Sequence, residues 1–478
     1  LKAKETIVLL HSNDIHSRLE NAARIASVIE YERRLHGADR VAAVDCGDHM
    51  DRMRLETEGS DGEVNIRLLR QAGYEAVTIG NNEGLTYGAA ALEKVYGTEA
   101  GLPVVCANMK RKASGRAPEW MQPSVILTKN GWKIGLIGAT ANFAEFYDLL
   151  GWEASEPLEA IRREAARLRG QADVIAVMSH LGLPKDKQMA EEIEGIHLIL
   201  GAHTHHLLEE PLVIGGTTIC AAGKFGEYVG RVEISWDEQA RRPVFRGECV
   251  PTGAFPIHPD AGRLIDAFKE SGRRRLDRVV ASLPQPLPAG NGLYSPLGNL
   301  LAAGLRRRAN AEIGIVNTGQ LLGGLDGGAV TAGELHALCP SPINPCLMTI
   351  AGIHLREALE QSLLPEYAEK PIKGFGFRGA VLGSLSVDGM TIRYDASRPP
   401  MRRLVSVEIN GEPLSDERLY TAGSIDMFSF KVGYESLANA ESFRFYLPEF
   451  IRDVIASELQ NPEALERCRM NRWKAGEA

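Results

Sequence analysis

The run TIVLLHSNDIH (residues 6–16) decides the fold. Its apolar stretch is too short for a helix and leads straight into the polar island Asn13-Asp14-Ile15-His16. A short apolar run bounded by turn residues reads as a buried parallel strand. The island then sits at the strand's carboxyl end, where open α/β sheets place their chemistry. The same pairing returns in RVAAVDCGDHMD (40–51), GYEAVTIGNNEGLTYG (73–88), DVIAVMSHLG (173–182) and IHLILGAHTHH (196–206). Asp14, His16, Asp48, Asn81, His180, His203 and His205 are thereby expected at successive strand ends.

Oxygen and imidazole donors of this kind suit a pair of divalent metals. A carboxylate such as Asp48 is able to bridge two cations, one on each oxygen. His203 and His205 flank one residue, so in extended backbone both rings face the same way. A lone DxH or HxH usually marks a turn or a surface histidine. Five islands in order at strand ends are a different signal. The count leaves coordination positions open, as in catalytic rather than structural sites. The metal itself is not legible: Mn, Zn, Fe, Co and Mg all suit such donors.

With 478 residues the chain is too long for one ordinary core, so two domains are expected. A net charge of −8 gives no support for nucleic-acid binding. An anionic substrate would need local positive charge, which two cations supply. Seven cysteines are scattered without a CxxC, so neither a thiolate zinc site nor a disulfide framework is expected. No apolar run reaches transmembrane length, so no membrane partner is expected. The first strand begins near residue 6, which reads as a cytoplasmic chain without a signal peptide. Leu1 in place of Met leaves a trimmed exported form open. Oligomeric state is silent.

Residues 1–255 alternate strand and helix. Strands are expected near 6–11, 40–45, 75–79, 103–106, 133–139, 173–179 and 196–200, and amphipathic helices over 21–36 and 156–169. Beyond residue 210 the runs suggest a closing antiparallel section. A connector helix is expected within 256–279, and residues 280–478 form a second domain mixing helices with strands such as EIGIVN and TIRYD.

These motifs resemble those of the 5′-nucleotidase family of calcineurin-like metallophosphoesterases. LLHSNDIH, DCGDHMD, GYEAVTIGNNEGLTYG, SHLG and GAHTHH are similar to its five motifs. YSPLGNLLAAGLRRRANAEIGIVNTGQL (294–321) and YTAGSIDMFSFKVGY (420–434) resemble its second domain. The resemblance implies an α/β fold: a four-layer α/β/β/α catalytic domain followed by a C-terminal α+β substrate-binding domain. It implies one cation on Asp14, His16, Asp48 and His205, and a second on Asp48, Asn81, His180 and His203. Attack of a metal-bound hydroxide on the phosphorus of a small nucleotide substrate would follow.

The chain departs from the family at Asn82, where the family carries a histidine beside the scissile phosphate. Asparagine donates a hydrogen bond but transfers no proton. His49, next to Asp48, is the candidate substitute acid, with His206 a weaker one; His11 is expected to buttress the site from the first strand. In the second domain, Leu322 falls where the family has Arg, Ser384 near an aromatic slot and Val432 on an acidic slot. Asn317, Asn344, Phe375, Phe377 and Tyr434 are the candidate substrate contacts, although such aromatics are also ordinary core residues. The expected function is hydrolysis of 5′-nucleotides or related phosphoesters. The alternatives are a cyclic-nucleotide phosphodiesterase, a nucleotide-sugar or dinucleotide pyrophosphatase, and a non-catalytic nucleotide or phosphate sensor.

Overall fold

A computed structural model describes residues 5–97, 101–290, 292–374 and 376–476. The chain divides into two compact units, Leu1–Gly272 and Arg273–Ala478. The division falls inside the helix Pro259–Leu276.

The first unit is built on two sheets. One runs, in spatial order, Arg242–Pro251, Tyr228–Asp237, Ile7–Ser12, Val41–Asp45, Ala76–Val77, Val104–Val105 and Met121–Gln122. The other runs Leu212–Ile214, Thr217–Ala221, Leu198–Gly201, Val174–His180, Trp132–Thr140 and Ser124–Lys129. Both faces of the central strands are buried, which is why their sequences are continuous apolar runs. Along Val174–His180 the side chains alternate. Val174, Ala176 and Met178 join a core shared with Leu9, Val44 and Ala76 of the first sheet. Ile175 and Val177 face the other way, onto Ile161, Ala165 and Leu168 of the helix Pro157–Leu168. The helix Leu19–His36 packs on Glu63–Ala72 through Leu19, Ala23, Val64 and Leu68. The result is the helix, sheet, sheet, helix layering that the resemblance implied. Each fully buried Leu, Ile or Val in these layers contributes about 1.5–3 kcal/mol of transfer free energy.

Register fixes where the polar islands land. Ser12 pairs with Asp45, Asp45 with Val77, Ser179 with Gly201 and His180 with Thr140, all in parallel ladders. The islands therefore leave their strands at the same edge. The expected strand at 75–79 shortens to Ala76–Val77. The hairpin partner Ser124–Lys129 is additional, and its Asn130-Gly131 turn, with φ of 42° and 79°, carries a recognised hairpin signal.

The second unit holds a five-stranded sheet ordered Leu385–Asp388, Ile313–Asn317, Leu419–Ile425, Pro345–Ala351 and Ser442–Phe445. The helix Pro296–Ala309 packs its Leu297, Leu300, Leu301 and Leu305 into that unit's core. Its N-terminus is capped by Ser295, whose hydroxyl accepts from the Gly298 amide. Among the described residues no helix is long and apolar enough to cross a membrane.

Candidate metal centre

Sharp turns at the strand ends bring the islands together. Asp14, His16, Asp48, His203 and His205 all have left-handed backbone, with φ of 51°, 47°, 54°, 71° and 59°. For residues other than glycine that conformation is costly and needs surrounding support. The support is a lattice of hydrogen bonds. The Asp14 amide donates to Gly47 O at 3.0 Å and the His16 amide to Asp48 O at 2.9 Å. The His203 amide donates to Asp14 Oδ2 at 3.0 Å. Gly47 and Gly80 let two turns approach closely: a Cβ on Gly80 would lie 2.1 Å from Asp48 Oδ1.

The donor atoms converge on two points. Asp14, His16 and His205 form one group able to hold a metal ion, and Asp14, Asp48 and His180 form another. His16 Nε2 and His205 Nε2 face each other at 3.2 Å. Asp14 Oδ1 lies 3.5 Å from His205 Nε2 and 3.9 Å from His16 Nε2. Asp48 addresses both sides, with Oδ2 3.9 Å from His16 Nε2 and Oδ1 3.4 Å from His180 Nε2. Asn81 Oδ1 is 3.2 Å from His180 Nε2. His203 lies with its ring centroid 5.2 Å from that of His180, outside both three-donor groups. Facing imidazole nitrogens and buried carboxylate oxygens, with His16 and His205 partly open and no thiolate, fit a pair of divalent cations.

Electrostatics agree. Burial alone would push His180 down, but Asp48 and Asp14 outweigh it and carry its pKa up to about 10. Burial would raise Asp48, and the charges of His180 and His16 instead hold it far below the usual carboxylate range. His203 is pushed down to about 4, first by burial and then by repulsion from His180. Two buried carboxylates thus draw positive charge to His180, so a cation seated there takes the place of a proton on Nε2, while His203 is held neutral.

Supporting residues hold these donors. Asn13 Nδ2 donates to Asp14 Oδ2 at 2.8 Å and to Gly223 O at 2.7 Å. Cys46 O accepts from His180 Nδ1 at 2.9 Å. The Glu83 carboxylate accepts from three backbone amides: Asp48 at 2.9 Å, Gly80 at 2.8 Å and Met50 at 2.7 Å. Sequence reasoning passed over Glu83, although an acid three residues past Gly80 at a helix start is a recognisable capping signal.

Several expected roles do not survive. His49 points away from the ligands and is buried, with Nδ1 2.9 Å from Asp45 Oδ1 and Nε2 2.6 Å from Tyr96 Oη. Both nitrogens are occupied, so it is no substitute acid. His206 is exposed and bonded to Thr204. His11 is buried against Gly230, with neither ring nitrogen hydrogen-bonded and its pKa lowered to about 4 by burial. Asn82 is the second residue of the helix Asn81–Thr86. Its amide group lies 2.9 Å from His16 Nδ1 and 3.2 Å from Met50 O, and its backbone N–H donates to Asp48 Oδ1 at 2.7 Å.

The expected substrate contacts of the second unit are internal. Asn317 is fully buried and donates to Leu382 O, and Asn344 donates to Glu449 O. Phe377 and Tyr434 belong to the hydrophobic core, and the Tyr434 hydroxyl donates to Gly383 O. Packing consumes these side chains, so none is available to a ligand. Phe375 lies outside the described residues.

The two-sheet fold and its convergent donors define a dinuclear metal-dependent phosphoesterase. Comparison with known proteins agrees. Residues 280–434 match the 5′-nucleotidase C-terminal domain, and residues 57–220 match the bacterial capsule synthesis protein family PGA_cap. The chain is similar to the uncharacterized metallophosphoesterase YunD of Bacillus subtilis, 34% identical over 470 residues, covering 95% of this chain and 99% of that protein. It is 22% identical over 463 residues to the snake venom 5′-nucleotidase of Gloydius brevicauda, covering 84% of this chain and 76% of that one. The crystal structure of the 5′-nucleotidase precursor from Thermus thermophilus shares the fold, with a TM-score of 0.61 at 21% identity, covering 99% of this chain and 100% of that one. The chain belongs to the 5′-nucleotidase family of calcineurin-like metallophosphoesterases.

The same comparisons overturn the cytoplasmic expectation. Relatives described as a precursor and as a venom protein are processed or secreted proteins. All seven cysteines are free and six are buried, so their scatter does not mark a compartment.

Proposed function

We propose that Asp14, His16, Asp48 and His205 hold one cation, that Asp48, Asn81, His180 and His203 hold the other, and that the protein hydrolyses 5′-nucleotides or related nucleotide phosphoesters. The observation that carries this reading is Asp48, whose two oxygens address His180 and His16 separately at 3.4 and 3.9 Å. When bound, the cations supply Lewis acidity at the phosphoryl group and lower the pKa of water. The chain's own residues make the seat. Cys46 O accepts a hydrogen bond from His180 Nδ1–H, which turns Nε2, once deprotonated, toward the cation seat. The Asn82 amide and Asn13 fix the two carboxylates. Nucleotide specificity draws its support from the 5′-nucleotidases among the relatives.

Asn82 favours a second reading within the same chemistry. Its side chain is bonded to His16 and Met50 and has no proton to transfer. A leaving group then departs without acid assistance, which is worth roughly 10²–10⁴-fold where it operates. Pyrophosphate-linked nucleotides, whose leaving group is already a stable phosphate anion, suit such a site, and so do cyclic diesters whose ring strain is released on cleavage.

The test is phosphate release by the purified protein with Mn²⁺. The substrates are 5′-nucleotides, 2′,3′-cyclic nucleotides, UDP-glucose, NAD and p-nitrophenyl phosphate, with a coupled phosphatase to reveal diester and pyrophosphate cleavage. Turnover that disappears in Asp48→Asn supports the reading, and the preferred substrate selects between its two forms. Turnover retained in Asp48→Asn would sink it.

A further inference from the structure

Beside the metal ligands lies a cationic cluster that the two-metal chemistry does not use. Phe225 is held with left-handed backbone at φ 61°. Its amide donates to Asp14 O at 2.7 Å and its carbonyl accepts from Asn21 Nδ2 at 2.9 Å. These bonds tie it to the ligand turn and set its ring against that of His16, edge to face, with centroids 5.8 Å apart. Two cations cover the ring: Arg18 Cζ and Lys224 Nζ each lie 4.7 Å from its centroid. They are therefore no more than about twice that distance apart, in a chain of net charge −8.

Neither cation forms an ion pair among the described residues. Other cations of this unit do: Arg52 with Glu58, Arg54 with Glu20 and Glu56, and Lys129 with Glu75. Cation–π attraction offsets part of the repulsion between two like charges that share one ring. An anion beside them would turn that repulsion into attraction on both sides, and a phosphate has oxygens enough for a guanidinium and an ammonium together. Position determines which phosphate. The scissile group belongs at the donors of His16 and His205, and the cluster meets the site through Phe225, whose ring lies against that of His16, so it addresses a neighbouring phosphate.

We infer that Arg18, Lys224 and Phe225 form an anion subsite beside the metal centre that receives a second, non-scissile phosphate of the substrate. This rests on the phosphoesterase reading above and narrows it to nucleotides with at least two linked phosphates. Arg18 and Lys224 are specificity-determining residues here; they touch the substrate's phosphate chain rather than the reacting atoms.

The experiment has two arms. The first compares kcat/KM for a nucleoside diphosphate with kcat/KM for the monophosphate of the same nucleoside. The double variant Arg18→Gln/Lys224→Gln is expected to lower that ratio tenfold or more. Arg263→Ala removes an exposed charge paired with Asp260 and is expected to leave the ratio unchanged. The second arm titrates inorganic pyrophosphate into chelator-treated protein by calorimetry, where no cation contributes. The double variant is expected to bind at least tenfold more weakly, with a shallower salt dependence. An unchanged ratio with unchanged pyrophosphate affinity overturns the subsite. If the wild-type protein turns over no phosphoester at all, the phosphoesterase reading fails, and the calorimetric arm judges the subsite alone: weakened binding in the double variant supports it and equal binding overturns it.

Discussion

Gly80→Ala separates the fold of this protein from its metal chemistry. Gly80 has φ −91° and ψ −178°, a conformation open to any residue, so alanine brings no backbone strain. The obstacle is space. The new methyl would lie 2.1 Å from Asp48 Oδ1, 2.4 Å from Asp48 N and 2.8 Å from Asp48 Cγ. Ordinary contact begins at 3.4 Å, so the Asp48 backbone must retreat by about 1 Å and its carboxylate further still. Metal–ligand distances tolerate about 0.2 Å. Asp48 is the residue shared by both proposed cation seats, so the two are disturbed together. We expect metal content to fall below two per chain by elemental analysis, and phosphate release to drop by at least about 10²-fold, of the size seen when a positioning group moves by 1 Å. The circular dichroism spectrum should not change. Gly88→Ala is the control, since a methyl there meets nothing within 4 Å. Gly80→Ala protein that binds two metals and turns over at the wild-type rate would refute the argument from Asp48.

Three further outcomes are expected. Glu83→Ala leaves the buried amides of Asp48, Met50 and Gly80 without their acceptor. At about 1–3 kcal/mol for each unsatisfied donor, chemical denaturation should show at least about 2 kcal/mol of lost stability; a loss too small to detect would mean that water replaces the carboxylate. Asn82→His should raise turnover of simple monoesters by about tenfold or more if a missing acid limits them, and no gain at any pH from 6 to 9 removes that explanation. Asp426 is buried and its pKa is raised from 3.8 to about 7 by desolvation. The folded state then holds its proton more tightly than the unfolded state. Its contribution is complete below pH 3.8, declines as pH rises and is gone above about pH 7. Over that window the loss is on the order of a few kcal/mol. Urea unfolding of Asp426→Asn between pH 5 and 8 should show a flatter stability profile than wild type, and parallel profiles would contradict this.

The catalytic fold was legible because its information is local. At residues 7–16 and at Val174–His180, the apolar run that makes the strand and the polar residue that makes the site are adjacent in sequence. Orientation was not legible. His49 follows Asp48, but the left-handed turn at Asp48 sends the two side chains opposite ways, one to the ligands and one to Asp45 and Tyr96. The aromatics of the second unit sit among turn residues that suggest a surface loop. Tertiary packing buries Phe377 and Tyr434, and nothing within a few residues of either signals it. The cluster of Arg18 with Lys224 and Phe225 joins segments about two hundred residues apart, beyond the reach of any periodicity or short motif.

The left-handed backbone at Asp14, His16, Asp48, His203 and His205 has a consequence for how this protein can change over generations. Such positions ordinarily favour glycine, and replacement by glycine would relieve backbone strain on the order of 1 kcal/mol at each, offset in part by the entropy glycine loses on folding. Every such relief of strain deletes a donor. Selection for thermal robustness and selection for turnover therefore pull in opposite directions at the same codons. Descendants that lose the activity should drift toward glycine or asparagine there first, and a lineage that keeps all five has been held to its chemistry against a standing thermodynamic pressure.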